Sequence, residues 1–289
     1  MEGIDIERGR IMKKTIVVVL YKQRVEESKT FITLKEVLFT NEQLLEQVEL
    51  IIYDNSPVEQ EVNFQLYNNV NMTYKHDERN LGIAEAYNFA WSIAKNNGSE
   101  WLLLFDHDTE ITSEYLKQII NLNELDESIA GVVPKINSEH TMISPVYSNT
   151  LRPLQNERPV EGIQKLPVMA INSGSMIRVS FLNLIGGFNK DFPLDYLDHW
   201  LFYEIYAKGY KVFVLNVYLE HELSVMDYSR VSLDRYKSII DSEINFYRNY
   251  KKDLYSSYRI QLAKRLLKQI LTVKNKQIAK YTLSRLFSL

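Results

Sequence analysis

Three short segments of this chain are apolar almost without interruption: TIVVVLY (15–21), WLLLF (101–105) and IAGVVPKI (129–136). A strand that faces water on one side alternates polar and apolar residues, whereas an unbroken run needs cover on both faces. Such runs, alternating with segments of helical pattern, specify an α/β protein with a mostly parallel sheet between helices. The intervening sequence fits. SKTFITLKEVLF (28–39) and SEYLKQIINL (113–122) read as helices, and VELIIYDNS (48–56) and VNMTYKH (70–76) as further strands. In NLGIAEAYNFAWSIAKNNG (80–98), Ile83, Ala86, Tyr87, Ala90 and either Ile93 or Ala94 keep a helical period, and Gly98 supplies the stop. A loop-rich stretch from about 137 to 165 precedes PVMAINSGSMIRV (167–179), the turn IGGFN, the helix YLDHWLFYEIYAKG (196–209) and the strand YKVFVLN (210–216).

Without cysteine, the chain can form neither disulfides nor thiolate metal sites, which fits a cytoplasmic protein. No run approaches the roughly 18 consecutive apolar residues of a membrane span. Charge is unevenly placed. Residues 251–289 hold ten of the 34 basic residues and one of the 37 acidic ones, leaving the tail near +9 and the rest near −12. Such a tail suits an anionic partner. Within 254–271, Tyr258, Leu262, Leu266 and Ile270 share one helical face, with Lys264, Arg265 and Lys268 largely opposite. A helix of this kind either lies on an anionic membrane or packs on the body of the protein. No aromatic-interleaved basic platform points to nucleic acid. Three parts are expected: a flexible tail (1–12), an α/β domain (13–226) and a basic helical region (227–289).

The strand WLLLF runs into Asp106, His107 and Asp108. Two carboxylates at the end of a buried strand can hold Mn²⁺ or Mg²⁺, which prefer oxygen ligands. Equally, the aspartates could be a solvated turn, with Ser113 capping the next helix. His107 should point away, because neighbouring strand residues face opposite sides. Other strand-end residues merit attention because ligands of open α/β sheets bind there. Asp54 ends a strand before NSP, where Asx turns are common. Asn80 and Gly82 could simply start a helix, whereas Asn88 is mid-helix, where asparagine is a poor choice. Gly174 allows either a bulge or close approach of a ligand. His221 could offer a neutral imidazole, while His76 and His199 read as structural.

In order along the chain, TIVVVLYKQ, IIYDNS, NLGIAEAYNFA, LLLFDHDT, NSGSMI with GGFNKDF, LDYLDHW and YLEHELS resemble the segments of family 2 glycosyltransferases, most closely the rhamnosyltransferase-like branch. The resemblance covers roughly residues 14–225 and implies a GT-A fold, Rossmann-like, with the basic helical tail beyond it. It implies an inverting transfer of a sugar, rhamnose foremost, from a dTDP- or UDP-linked donor to a glycan or lipid-linked acceptor. The products would be surface polysaccharides such as O-antigen or capsule, made in the cytoplasm or peripherally at the inner face of the membrane. It further implies donor contacts at Tyr21, Asp54, Asn80, Gly82, Asn88 and Asp106, and acceptor-side positions at Asn172, Ser173, Gly174 and Trp200. Asp106, Asp108 and His221 would hold the metal, and Asp198 would be the general base. Two departures stand out: Ala90 replaces the last glycine of the NLG signature, and Trp200 and Glu204 occupy places usually acidic and arginine. Asp198 also has a structural explanation, in the first turn of a helix that Asp195 could cap. Two other readings remain: a haloacid dehalogenase-type phosphatase, suggested faintly by FDHDTE, and a non-catalytic sugar-binding protein.

Overall fold

The computed structural model describes residues 13–39, 45–63, 67, 70–122, 125–138, 141–151, 153–155, 157–221 and 231–288. The expected flexible tail, and the expected boundary at 226/227, lie outside these residues. The first half alternates strands and helices: β1 (Lys14–Leu20), α1 (Lys29–Leu38), β2 (Val48–Asp54), β3 (Met72–His76), α2 (Ile83–Asn96), β4 (Trp101–Asp106) and α3 (Ser113–Asn121). Then come β5 (Ile129–Ser138), β6 (Thr141–Ser144), β7 (Val146–Tyr147), β8 (Gly162–Gln164), β9 (Val168–Met169), β10 (Ser175–Arg178) and α4 (Val179–Ile185). After α5 (Leu197–Ala207) and β11 (Lys211–Glu220), the chain ends in α6 (Leu233–Asn249), α7 (Tyr255–Thr272) and α8 (Lys276–Phe287).

The sheet runs β3-β2-β1-β4-β10-β5-β11-β8, with β6 paired to β5. β3, β2, β1 and β4 are parallel, and β10 enters antiparallel between β4 and β5. Both faces of β1 and β4 are covered, as their unbroken apolar sequence requires. On one face Val17, Val19, Leu102 and Leu104 meet Ala86 and Tyr87 of α2 and Leu201 and Phe202 of α5. On the other, Ile16, Val18, Leu103 and Phe105 meet Phe31 and Leu34 of α1 and Tyr115 and Leu116 of α3. Each such side chain contributes roughly 1.5–3 kcal/mol when fully buried. The central strands are therefore a rigid platform for whatever follows their ends.

Two details differ from the sequence reading. The stretch expected to be loop contains β6, which turns back on the end of β5, and β7 and β8, short strands held by pairing with distant segments that leaves no local period. Asp195 does not cap α5. Its carboxylate is taken by Arg235 at 2.6 Å and Ser238 at 2.7 Å, and the cap position is Tyr196, in the left-handed conformation at φ 64°.

The C-terminal helices close over the same core as α2 and α5. Tyr236 and Ile240 of α6, Tyr258 and Leu262 of α7 and Ile278 of α8 all belong to it. α7 is rotated from the expected face. Ile270 is 50% exposed, and Gln269 takes the inner place because it bonds Tyr236 and Thr282. Arg265 also turns inward, making two bonds to Glu243 at 2.6 and 2.8 Å. Removing one partner of a buried ion pair strands the other charge, a loss of about 3–5 kcal/mol. Arg265→Met should therefore lower the urea midpoint sharply, and adding Glu243→Gln should restore most of it; an unchanged midpoint would mean that the pair is not a dry contact.

Candidate active site

The chain winds outward from β1 to β3 and returns to β4 on the other side of β1, so the order reverses between β1 and β4. Ligands of open α/β sheets bind at such a point, beyond the carboxyl ends of the strands. Asp106 lies there, in register with Val19 of β1. Side chains alternate along a strand, and Leu102 and Leu104 face the core of α2 and α5. Asp106 continues that face, which brings it toward Tyr87 and Asp198.

The turn after Asp106 is fixed from three sides. Ser28 donates to the His107 carbonyl at 2.9 Å, and the Thr30 hydroxyl meets the carbonyls of Asp106 at 2.5 Å and Thr109 at 2.9 Å. Thr30 also accepts the Thr109 N–H at 2.9 Å. From β10's side, Ser173 accepts the Asp106 N–H at 2.9 Å and lies 2.6 Å from the Thr109 hydroxyl, itself 3.0 Å from His221 Nδ1. Asp106, Asp108 and His221 can thereby each offer a ligand atom with all three within 4.8 Å of one another. His107 is not part of this group. Nor does α3 need the aspartates, because Thr112, in place of the expected Ser113, is its cap.

The electrostatics of this group favour a cation. Asp108 Oδ1 is buried 3.4 Å from His221 Nδ1, with no hydrogen-bond partner among the described residues. A buried carboxylate oxygen left unpaired is unfavourable. Burial raises the pKa of Asp106; the charges of Asp108 and Asp198 add to this, and His221 opposes it. Burial likewise pushes the Tyr87 phenol well up, with Asp106 and Asp198 nearby adding to the effect. Two oxygen donors and an imidazole, with an unsatisfied anionic oxygen between them, match what Mn²⁺ or Mg²⁺ accepts.

The other expected site residues are placed as follows. Asp54 is fully buried, with Ser56 N–H on one oxygen at 2.9 Å and Tyr74 and Gln60 on the other at 2.8 and 2.7 Å. Tyr21 is 42% exposed just past β1. Asn80 is exposed at φ 47° and lies outside the helix, whose cap is Gly82. Gly82 has φ 92°, and a Cβ there would fall 2.2 Å from the Pro193 carbonyl, so the close approach it permits is to the protein's own backbone. Asn88 spends its amide on Phe188, donating to its carbonyl and accepting its N–H, both at 2.8 Å. Asn172 and Gly174 flank buried Ser173 at the start of β10; Asn172 Oδ1 has no partner among the described residues. Gly174, at φ 83°, fits against Leu219 and Pro134. Trp200 is buried in the core, on α5 near Tyr250. Asp198 is partly buried in the first turn of α5 and accepts the His199 N–H at 2.8 Å.

The profile of glycosyl transferase family 2 matches residues 17–186, more than half of the chain. The chain belongs to this family. A dTDP-rhamnosyl transferase, RfbF of Shigella flexneri, is 28% identical to the family 2 chain over 124 residues, which are 42% of the chain and 41% of that protein. Among solved structures, a mannosyltransferase from Pyrobaculum calidifontis, PcManGT, crystallised with GDP-Man and Mn²⁺, aligns over 96% of the chain and 74% of its own length. The TM-score is 0.56 at 15% identity. TarS 1–349 of S. aureus aligns over 96% of the chain and 88% of its own, with TM-score 0.51 at 14% identity. Against longer TarS, the chain spans 45% of the length. These likenesses establish the GT-A fold. They also remove the phosphatase reading.

Sequence reasoning missed the braces of the Asp106–Asp108–His221 group. Thr30 and Ser28 are 76 to 79 residues from their partners; the one local signal is that Ser28 caps α1, and Thr30 has none. Tyr87 was hidden in the apolar stripe of α2. One prediction follows from Asp106. Its raised pKa means that the metal-free fold is penalised as pH rises from the ordinary carboxylate range through the raised value. In EDTA at neutral pH, Asp106→Asn should therefore melt higher than the parent, with the gap closing toward about pH 4, where both are neutral. A variant that melts lower at pH 7 would show that Asp106 is not strained by its surroundings.

Proposed function

We propose that the family 2 chain is an inverting glycosyltransferase. It moves a sugar, rhamnose in the first instance, from a dTDP- or UDP-linked donor to a hydroxyl of a glycan or lipid-linked acceptor in surface polysaccharide synthesis. The observation that carries this reading is the Asp106–Asp108–His221 group at the strand-order switch, with an Asp108 oxygen that has no hydrogen-bond partner among the described residues and Asp198 close enough to act on the charge of Asp106. The partial likeness to a dTDP-rhamnosyl transferase supports the donor.

In the reaction, the acceptor oxygen bonds to the anomeric carbon as the bond to the nucleoside diphosphate breaks, and the diphosphate leaves with the electron pair. Asp198 takes the acceptor proton. It lies in the first turn of α5, next to Tyr196 and His199. Asp106, Asp108 and His221 would hold Mn²⁺ or Mg²⁺, which when bound neutralises charge gathering on the diphosphate. Ser173, Thr109 and Thr30 keep those ligands in place by the bonds described above. In this reading, Asp54 and Tyr21 border the nucleoside end of the donor. Asp198→Asn preserves shape but cannot accept the proton. Transfer should fall by at least about 100-fold while donor binding and melting temperature stay near the parent's; near-normal transfer would remove Asp198 as the base.

The second part of the reading is location: residues 13–226 carry the chemistry, and 227–289 meet the anionic inner face of a membrane. No helix among the described residues is long and apolar enough to cross one. α7 instead has a second apolar stripe on its outer side. Ile260, Leu267 and Leu271, 60%, 63% and 82% exposed, lie beside Lys264 and Lys268. Apolar residues flanked by lysines suit an interfacial helix, with each cation near an anionic leaflet worth about 1 kcal/mol. Replacing the three apolar residues by serine should weaken sedimentation with phosphatidylglycerol vesicles without lowering the melting temperature, and high salt should release the parent. Equal sedimentation by the serine variant would refute the membrane face.

A further inference from the structure

A cavity of about 770 Å³ lies between α5, the β7–β9 ribbon, α6 and α7. Asp106, Asp108 and His221 are not in its walls. Its floor is aromatic, made by Tyr196, Phe202, Tyr203 and Tyr206 of α5 with Phe246 and Tyr247 of α6. The His199 ring stacks on Tyr196 at 4.3 Å and also borders the space. Cavities of this size hold ligands of a few rings, and sugar rings present flat C–H faces that pack on aromatic walls.

The facing wall is cationic. Lys264, Arg265 and Lys268 come from α7, and Lys251 from just after α6. Arg265 is occupied by Glu243, and Lys251 lies 3.4 Å from Asp253. Lys264 and Lys268 form no ion pair among the described residues. They stand one turn apart, where like charges repel along a helix. An anionic group between them would relieve that repulsion. They also separate the cavity from the outer stripe of Ile260, Leu267 and Leu271.

The cavity borders the start of α5, although Asp198 itself is not in its wall. Asp198 sits between Tyr196 and His199, both of which line the space, and its carboxylate is bonded to the His199 N–H. Tyr196 holds a left-handed φ of 64°, a costly conformation for a bulky residue and one that clusters at functional sites. The ring that it turns into the cavity is thus set within two residues of the base.

We infer that this cavity is the acceptor site, and that the acceptor is a glycan carrying a phosphate or diphosphate. Its sugar packs on the aromatic floor with a hydroxyl toward Asp198, and its phosphate lies against Lys264 and Lys268. This rests on the transferase reading above, so its test is independent of transfer. Saturation-transfer NMR on the full chain would use glucose 1-phosphate as probe, with glucose as a second probe and inorganic phosphate as a competitor against the sugar phosphate. The sugar phosphate should bind more tightly than either glucose or phosphate. Lys264→Ala/Lys268→Ala should weaken it by at least about tenfold, as loss of a charge-assisted contact does. Tyr203→Ala should weaken it too. Asp108→Ala should leave it unchanged, and the lysine variant should keep metal-dependent UDP binding. Equal affinity in the lysine variant, loss in Asp108→Ala instead, or no binding of the sugar phosphate would overturn the site. If UDP fails to bind while the lysine dependence holds, the transferase reading falls and the sugar-phosphate site stands. Repeating the titration with an alkyl glucosyl phosphate in phosphatidylcholine vesicles separates the sources. Tighter binding there supports a lipid-borne acceptor, and equal binding supports a free anionic glycan.

Discussion

Two like charges, Asp106 and Asp108, are held at the end of a buried strand, with one Asp108 oxygen lacking a hydrogen-bond partner among the described residues. Carboxylates in such a place repel each other and lose their hydration, and the raised pKa of Asp106 expresses that cost. The protein does not relax it. Ser28, Thr30 and Ser173 bind the backbone of the turn, and Ser173 also meets the Thr109 hydroxyl, so the path of the chain through both carboxylates is fixed. A divalent cation bound by the group would remove that penalty. Stability would then be given up at the strand end where binding is gained, a trade common at functional sites.

The fold supports this trade because its central strands are covered on both faces. β1 is apolar from Ile16 to Leu20 and β4 from Trp101 to Phe105, so the polar turn emerges from the end of a well-packed core. α5 starts where Asp195 is pinned by Arg235 of α6, which ties the position of Asp198 to the C-terminal helices. α6 to α8 are thus part of the body that presents the site. α6 and α7 also wall the cavity, and α7 carries the outer apolar stripe.

Much of this was legible in the sequence, for a physical reason. Unbroken apolar strands, a helical period and a carboxylate pair are local patterns, and each survived as an element or a cluster. The GT-A fold and the family followed from their order. What stayed hidden depends on distant contacts. Asn88 was noticed as an odd residue for mid-helix, but its partner is the Phe188 backbone 100 residues away. The glycine at 82 read as a helix start or a ligand contact, yet what demands it is the carbonyl of Pro193. On α7, hydrophobicity alone placed Ile270 inside and Arg265 outside; hydrogen bonds from Gln269 and the carboxylate of Glu243 reversed both. The cavity needed three separate segments to meet, and none of them announces it alone.

The central claim is that the strained carboxylate group exists to hold a divalent cation with a nucleoside diphosphate. Its most direct test is calorimetric titration of UDP into the parent and Asp108→Ala, each with and without Mn²⁺. The account expects metal-dependent binding in the parent and its loss in the variant, whose fold should be intact because Asp108 lies beyond the end of β4. Undiminished, metal-dependent binding by Asp108→Ala would contradict it and leave the pair as a turn.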